Sequence, residues 1–535
     1  MLLTIFTRHR SHSTTTLATS PSRMSSDPLN ISMSEAPTNN ASLGMESSET
    51  LGTRASKYSR RQSSENVQAS ASKESATVRT VHEDDELESG SAPISRTEQC
   101  WPREWRAYAA LTACFMLMFN SWGLINSFGT YATYYHDPTT KTNPGQGFVR
   151  INSIGGMQIF LVLLFSCFVG RLTDANHHGL VLSVGTSLLA VALFAQASVA
   201  VHQPSENTTY AILMATQGIL GGMGFSTFFV TSSQMAATWF RAKKPLTLGI
   251  VACGASVGGA VYSSTFKLVE LAHGYKTATV AIGLIAISTS IVAVIFAKPP
   301  PSEKSPTLIW RFSTFWDKHA FQNAAYVWFA VGFGFICLGL YPSIFALEPW
   351  AFQKKLGFPG KVRPSELRKD TLATFALLSI FNGCSFLGRL LSGVSAQYAD
   401  KHGSGALHIH IGVVATAVIL VLGMWLVTAT SACAEAYVVI YGAISGAVIG
   451  LPAATISHII GNSNEVGQRK LGNWVGILYT IGSVPAMAGV LICGKLADAY
   501  MTTYTPVIVF CGVSYFLAAC CMVIAAFKLG RRRVG

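Results

Sequence analysis

The chain has 535 residues, of which 50% are hydrophobic and 12% charged. A soluble domain carries about a quarter charged residues, so a soluble globular protein is excluded. The formal charge is +13; residues 1–104 hold 11 Lys/Arg against 13 Asp/Glu, and residues 105–535 hold 28 against 13. That excess of base is scattered between apolar blocks and forms no clustered face, which argues against nucleic acid as a partner.

Residues 1–104 are rich in Ser, Thr, Asn and Glu and carry almost no clustered apolar side chains. They cannot bury a core and are expected to form a disordered cytoplasmic tail. The acidic run 82–88 and the basic Lys57 to Arg61 beside serines are either regulatory phosphorylation contexts or plain solvated segments. The first 26 residues contain Arg and Ser and no acids, a pattern also found in mitochondrial presequences.

From Trp105 onward, apolar blocks of about 20 residues recur, each long enough for a membrane-spanning helix. They are expected near 106–131, 148–171, 179–201, 209–235, 245–266, 277–297, 321–347, 371–396, 407–428, 436–459, 472–494 and 505–527. The polar stretch Lys298–Ala320 divides them. The expected organisation is therefore an all-α membrane protein with twelve transmembrane helices in two six-helix halves. Residues 105–297 form the first half, 298–320 a central cytoplasmic loop, 321–527 the second half and 528–535 a basic cytoplasmic tail.

The Lys/Arg bias of the loops puts the N-terminus inside. The cytoplasmic turns then include Arg241, Lys243 and Lys244, and the candidate glycosylation sequon starting at Asn207 falls on the outer side. The outer loop 348–370 departs from the bias with Lys354, Lys355, Lys361, Arg363, Arg368 and Lys369. Nine of the 11 cysteines lie in apolar blocks and none has metal-type spacing. No nucleotide-binding loop, metal cluster or nucleophile–base constellation occurs, so neither an enzyme nor a cofactor or metal is expected. Oligomeric state has no signature in the sequence.

Small residues recur at four-residue spacing in Gly218/Gly222, Gly254/Gly258 and Gly442/Gly446/Gly450, which lets membrane helices approach closely. Gly170-Arg171-Leu172-Thr173-Asp174 ends the second block, and Gly388 with the following Asp400 occupies the equivalent end of the eighth. A carboxylate beside the positive end of a neighbouring helix, with arginine close by, can act as a conformational latch. Arg389 stands in the otherwise uncharged block 371–393. A cation there costs about 2.5 to 3.5 kcal/mol on insertion scales, so it needs water, a partner or a ligand. It lies 11 residues before Asp400, or roughly 16 Å along a helix, close to the midplane. Asn382 and Ser385 precede it by seven and four residues and share its helical face. Asn126, Ser127, Tyr131, Asn152 and Gln158 are further candidates for a polar cavity, whereas Gln217, Gln234 and His458 suit interhelical hydrogen bonds.

Three stretches resemble the major facilitator superfamily, and within it the monocarboxylate-transporter-like branch, particularly its fungal members. They are Asn120 to Tyr135 in the first block, Trp239 to Gly259 across the fourth and fifth, and Phe386 to Gly393 in the eighth. The resemblance covers roughly residues 105–527. It implies a secondary transporter moving a small organic solute, a monocarboxylate or related metabolite, by alternating access. From their depth and helical faces, the substrate-binding residues expected are Arg389, Asn382, Ser385, Asn126 and Tyr131. The chain departs from the family where animal carriers have a lysine (here Asn126) and an aspartate one turn before the arginine (here Ser385). These departures argue against the proton coupling that the resemblance implies, while attraction of a carboxylate by Arg389 is retained. The alternatives are an exporter of a neutral or larger secondary metabolite and a non-transporting nutrient sensor. The expected partners are the lipid bilayer and a carboxylate solute, in the plasma membrane or alternatively a vacuolar or mitochondrial membrane.

Overall fold

In a computed structural model of the chain, residues 101–534 are described apart from 138–139, 141–143, 146, 203–204, 241–242, 301–316, 355–366, 402–404, 462–470 and 501–502, and apart from the side chains at 200–201, 367–375, 400–401 and 532–534. The expected tail thus lies outside the described residues except for 101–104, as do most of the central loop and the last basic side chains. The described residues belong to one compact unit spanning 90–535.

Every regular element among them is helical. We number the spans α1 (Trp105–His136), α2 (Phe148–Leu164 continued by Ser166–Asp174), α3 (His178–His202), α4 (Glu206–Trp239), α5 (244–273), α6 (275–296), α7 (Ala324–Gln353), α8 (Leu367–Lys401), α9 (Ala406–Trp425), α10 (Ser431–Gly450 continued by Pro452–Ile460), α11 (Leu471–Ala499) and α12 (Thr505–Val534). Among the described residues ten helices are long and apolar enough to cross a membrane, and the bent pair in α2, turning by 40° at Phe165, makes eleven. The twelfth is hidden in the continuous segment Lys244–Phe296, whose 53 residues are interrupted by the non-helical Gly274. Such a segment would be about 80 Å long if straight, far more than one bilayer core. Gly274 has φ 82° and ψ 171°, a conformation open almost only to glycine, and it makes the turn between α5 and α6.

The glycine spacings become packing seams. A Cβ on Gly254 or Gly258 of α5 would run into the carbonyl oxygens of Phe115 and Phe119 on α1. Gly218 and Gly222 seat α4 on α2 at Ile154 and Gln158, and Gly442, Gly446 and Gly450 seat α10 on α8 at Phe381, Ser385 and Ser392. Two further seams join the first six spans to the last six. On one, Gly249 and Gly259 of α5 meet Arg389 and Asn382 of α8; on the other, Gly156 of α2 faces Met487 on α11, and Gly494 of α11 faces Val149 on α2.

Buried polar groups tie the first set of six together internally. Asn120 on α1 donates to Ala286 O (3.1 Å) and Ser290 Oγ (2.8 Å) on α6 and accepts from Tyr262 OH (2.6 Å) on α5. Tyr135, Gln196, Gln217 and Tyr275 form a second cluster across α1, α3, α4 and α6. In apolar surroundings such groups must find partners within the protein, and here they do. Several helix ends run past their expected boundaries, α12 reaching Val534 against 527. Helix α7 continues to Gln353, beyond the expected end at 347, and buries Glu348 and Trp350. The apolar pattern resumes after Glu348, and the carboxylate finds a hydroxyl partner inside the bundle, so the charge does not end the helix.

Candidate solute-binding site

Arg389 is 2% exposed and projects from the middle of α8. Its Nε donates to Ser385 Oγ (3.3 Å), one turn earlier, and its Nη1 donates to the Ala252 carbonyl on α5 (3.4 Å). Both bonds are long, and a guanidinium has five N–H groups to place. Among the described residues no carboxylate lies within ion-pair reach of it. Asn382 shares the helical face but turns elsewhere. Its Nδ2 donates to Leu378 O (3.0 Å), and its amide packs against Gly259. The i, i+4, i+7 spacing therefore brings Ser385 to Arg389 and leaves Asn382 in the α5–α8 seam.

Arg389 faces a cavity of about 890 Å³. From Arg389 and Tyr341 the cavity runs past Gln234 to Lys244, Arg171 and Asp174, so it reaches the basic end of the bundle. Helices of both sets contribute aromatic rings to its wall. Trp122 of α1 stacks on Tyr341 of α7 (5.7 Å, 13°) and meets Phe229 of α4 edge-on (5.4 Å, 84°). Phe229 in turn meets Tyr479 of α11 (5.1 Å), which meets Phe333 of α7 (5.6 Å). Tyr341 and Tyr479 lie close enough to Arg389 to interact with it electrostatically. The cavity offers mostly apolar surface, one buried cation and a few polar hydrogen donors, the composition of a small-molecule pocket. The five aromatic residues were unremarkable in the sequence, because a ring in an apolar block carries no mark of which face it occupies.

The opposite end of the bundle is closed by contacts between the two sets of six. Phe128 of α1 packs on Phe345 of α7 (4.8 Å). Thr130 Oγ1 donates to Glu348 Oε2 (3.1 Å), and Lys267 of α5 acts electrostatically on the same carboxylate. Glu348 and Lys267 are 1% and 5% exposed. Asp498 of α11 accepts the backbone N–H groups of Phe148 (2.6 Å) and Val149 (3.0 Å), capping α2 from across the interface. Asn126 and Tyr131 belong to this closed region. Both are buried on α1, outside the cavity lining, and the Tyr131 ring packs on Phe266 (4.1 Å). Asn152 and Gln158 also lie outside the lining, and Gln158 Nε2 donates to Gln217 O (3.0 Å). Gln234 lines the cavity, where sequence reasoning had given it an interhelical bond.

At the basic end, Arg171 Nη1 stands 3.9 Å from Asp174 Oδ2, one turn apart and partly exposed. Gly170 lets Gln234 of α4 approach, and Gly388 sits against the Ala443 backbone of α10. The side chain of Asp400 and the whole of Arg241 lie outside the described residues. Lys243 places its ammonium 5.1 Å from the centre of the Trp101 ring, and Lys244 lines the cavity mouth. Asn207, the sequon residue, is in the first turn of α4 and accepts from Arg150 Nη2 (2.7 Å). Thr209 of the same sequon is buried.

Comparison with known proteins fits this architecture. The sequence profile of the Major Facilitator Superfamily matches residues 110–468. An MFS-type transporter of Gibberella zeae is 27% identical over 79% of this chain and 86% of its own. The agnestins efflux protein AgnL12 of Paecilomyces divaricatus is 25% identical over 86% and 95%. The aspyridones efflux protein apdF of Emericella nidulans is 25% identical over 74% and 72%. With apolar helices throughout, a cavity walled by both sets of six, and a family profile that spans most of the helical region, the chain belongs to the Major Facilitator Superfamily and is an integral membrane transporter.

Proposed function

We propose that the protein exports an organic anion by alternating access, with Arg389 as the group that holds the anion. The observation carrying this reading is a buried guanidinium, without a carboxylate partner among the described residues, that faces a cavity of about 890 Å³. A carboxylate can bridge two N–H groups of a guanidinium at once and offset the cost of keeping that cation in the membrane. The likeness of α1, the α4–α5 turn and α8 to monocarboxylate carriers supports an anionic cargo. The volume favours a larger one, since pockets of roughly 300 to 1,000 Å³ suit drug-sized ligands and a three-carbon acid would fill little of this cavity.

The loop charges make the basic end cytoplasmic. The cavity is then open to the cell interior and closed outside, as a carrier loading its cargo for export would be. The names of two efflux relatives support the same direction, and export from the cell would run across the plasma membrane. In this reading Gly170, Arg171 and Asp174 on α2, with Gly388 and Asp400 on α8, form the latch at the mouth. Lys243 and Lys244 belong to the gate beside it.

The test is a counterflow screen of the purified protein in proteoliposomes, pairing each organic acid with its neutral amide. The acids are expected to exchange and the amides to lag by tenfold or more. Equal exchange of acid and amide across the panel would remove the anion reading.

A further inference from the structure

We infer that the anion carried by Arg389 is an aryl acid, recognised by its flat ring at Trp122 and Tyr341 as well as by its charge. The inference rests on the anion reading above and adds to it the shape and electronic character of the cargo.

Two observations carry it. First, the rings around the cavity are joined to one another and drawn from both sets of six: Trp122 and Phe229 on one side, Tyr341, Tyr479 and Phe333 on the other. A ligand resting on them touches α1, α4, α7 and α11 together, the helices whose relative motion alternating access requires. Second, Trp122 and Tyr341 lie nearly parallel, at 13° with centroids 5.7 Å apart, whereas the other ring contacts are edge-on at 69° to 84°. The stacked pair, with one face of each ring covered by the other, forms an aromatic patch in the wall of the same cavity that Arg389 faces. An acid group bound at the guanidinium therefore brings the skeleton attached to it over that patch.

Against this wall an aromatic ring gains more than a saturated one of equal area. Ring pairs add to simple burial, and two such contacts predict a preference of roughly tenfold. A straight aliphatic acid would satisfy Arg389 and leave the patch to water or to other rings. A neutral aromatic would satisfy the patch and leave the guanidinium bare.

Three probes of nearly one shape separate the two parts of the site: 2-naphthoate, its saturated counterpart decahydro-2-naphthoate, and neutral 2-naphthamide. Binding of each to the full-length protein in lipid nanodiscs is measured by equilibrium dialysis, for wild type, Trp122→Leu, Trp122→Phe and Arg389→Gln. Gel filtration checks that every variant remains a folded, monodisperse particle. The wild type should bind naphthoate about tenfold tighter than the saturated acid, and both acids tighter than the amide. Trp122→Leu should erase the aromatic preference and keep the acid preference, while Trp122→Phe keeps both. Arg389→Gln should erase the acid preference and keep the aromatic one. Equal binding of the two acids to the wild type, with the amide still weaker, would overturn this inference and leave the anion reading standing. Equal binding of naphthoate and naphthamide would overturn the anion reading, and the inference with it. Failure of all three probes to bind at millimolar concentration would also overturn the inference.

Discussion

Removing the carboxylate of Asp498 should loosen the closed end of the bundle, and the size of the effect follows from its two hydrogen bonds. The first N–H groups of a helix have no acceptor within that helix. At the start of α2 those of Phe148 and Val149 are accepted by Asp498 at 2.6 and 3.0 Å, from a helix of the other set. A side-chain cap is worth about 0.5 to 2 kcal/mol, and a negative charge at a helix N-terminus adds about 0.3 to 1 kcal/mol. Asp498 is half-buried, so about 2 kcal/mol is a reasonable total, or roughly thirtyfold in the balance between closed and open ends. Asp498→Ala removes both acceptors, whereas Asp498→Asn keeps one and loses the charge. Hydrogen exchange read by mass spectrometry on peptides covering 144–152 should accelerate on the order of thirtyfold in Asp498→Ala and by less in Asp498→Asn. Peptides from α9, which is remote from this contact, should keep their wild-type rate. An Asp498→Ala curve that superimposes on wild type over 144–152 would refute the reasoning. Acceleration spread evenly over the whole chain would refute it too, because general unfolding is not the opening of one end.

Two further outcomes follow from burial and backbone geometry. Glu348→Gln should remove the carboxylate that acts on the buried Lys267 and lower the unfolding temperature; adding Lys267→Met should restore much of the loss, and a double variant no better than the single one would contradict the coupling. Gly274→Ala should destabilise the protein by roughly 1 to 3 kcal/mol through backbone strain alone, since φ is 82° and no atom lies within 4 Å of the added Cβ. Gly412→Ala, in a helix and equally uncrowded, should be neutral or slightly stabilising in the same thermal assay.

What the sequence made legible was whatever depends on neighbours along the chain. Spans of about 20 apolar residues appear wherever the bilayer demands them, and the four-residue glycine spacings became the α1–α5, α2–α4 and α8–α10 seams because small residues set how closely helices approach. Arg389 was visible because one cation in an apolar block stands out by cost alone. The rest of the site depends on partners hundreds of residues away. Trp122 meets Tyr341 and Asp498 meets Phe148 only after the two sets of six come together. Glu348 looked like the start of a polar loop, because its hydroxyl partner Thr130 lies 218 positions earlier. Tyr131 and Asn126 were polar residues on the right helix, and their register turns them toward the closed end instead of the cavity.

The central claim is that Arg389 holds a negatively charged cargo during transport, and Arg389→Gln tests it most directly. The measurement is counterflow of a radiolabelled aryl acid into proteoliposomes bearing equal amounts of wild-type or variant protein, with monodispersity checked by gel filtration. A charge-assisted pair of hydrogen bonds is worth about 1.5 to 3 kcal/mol, so the variant should lose roughly ten- to a hundredfold in apparent affinity for the acid. Wild-type affinity and rate for the acid in the Arg389→Gln protein would contradict the account.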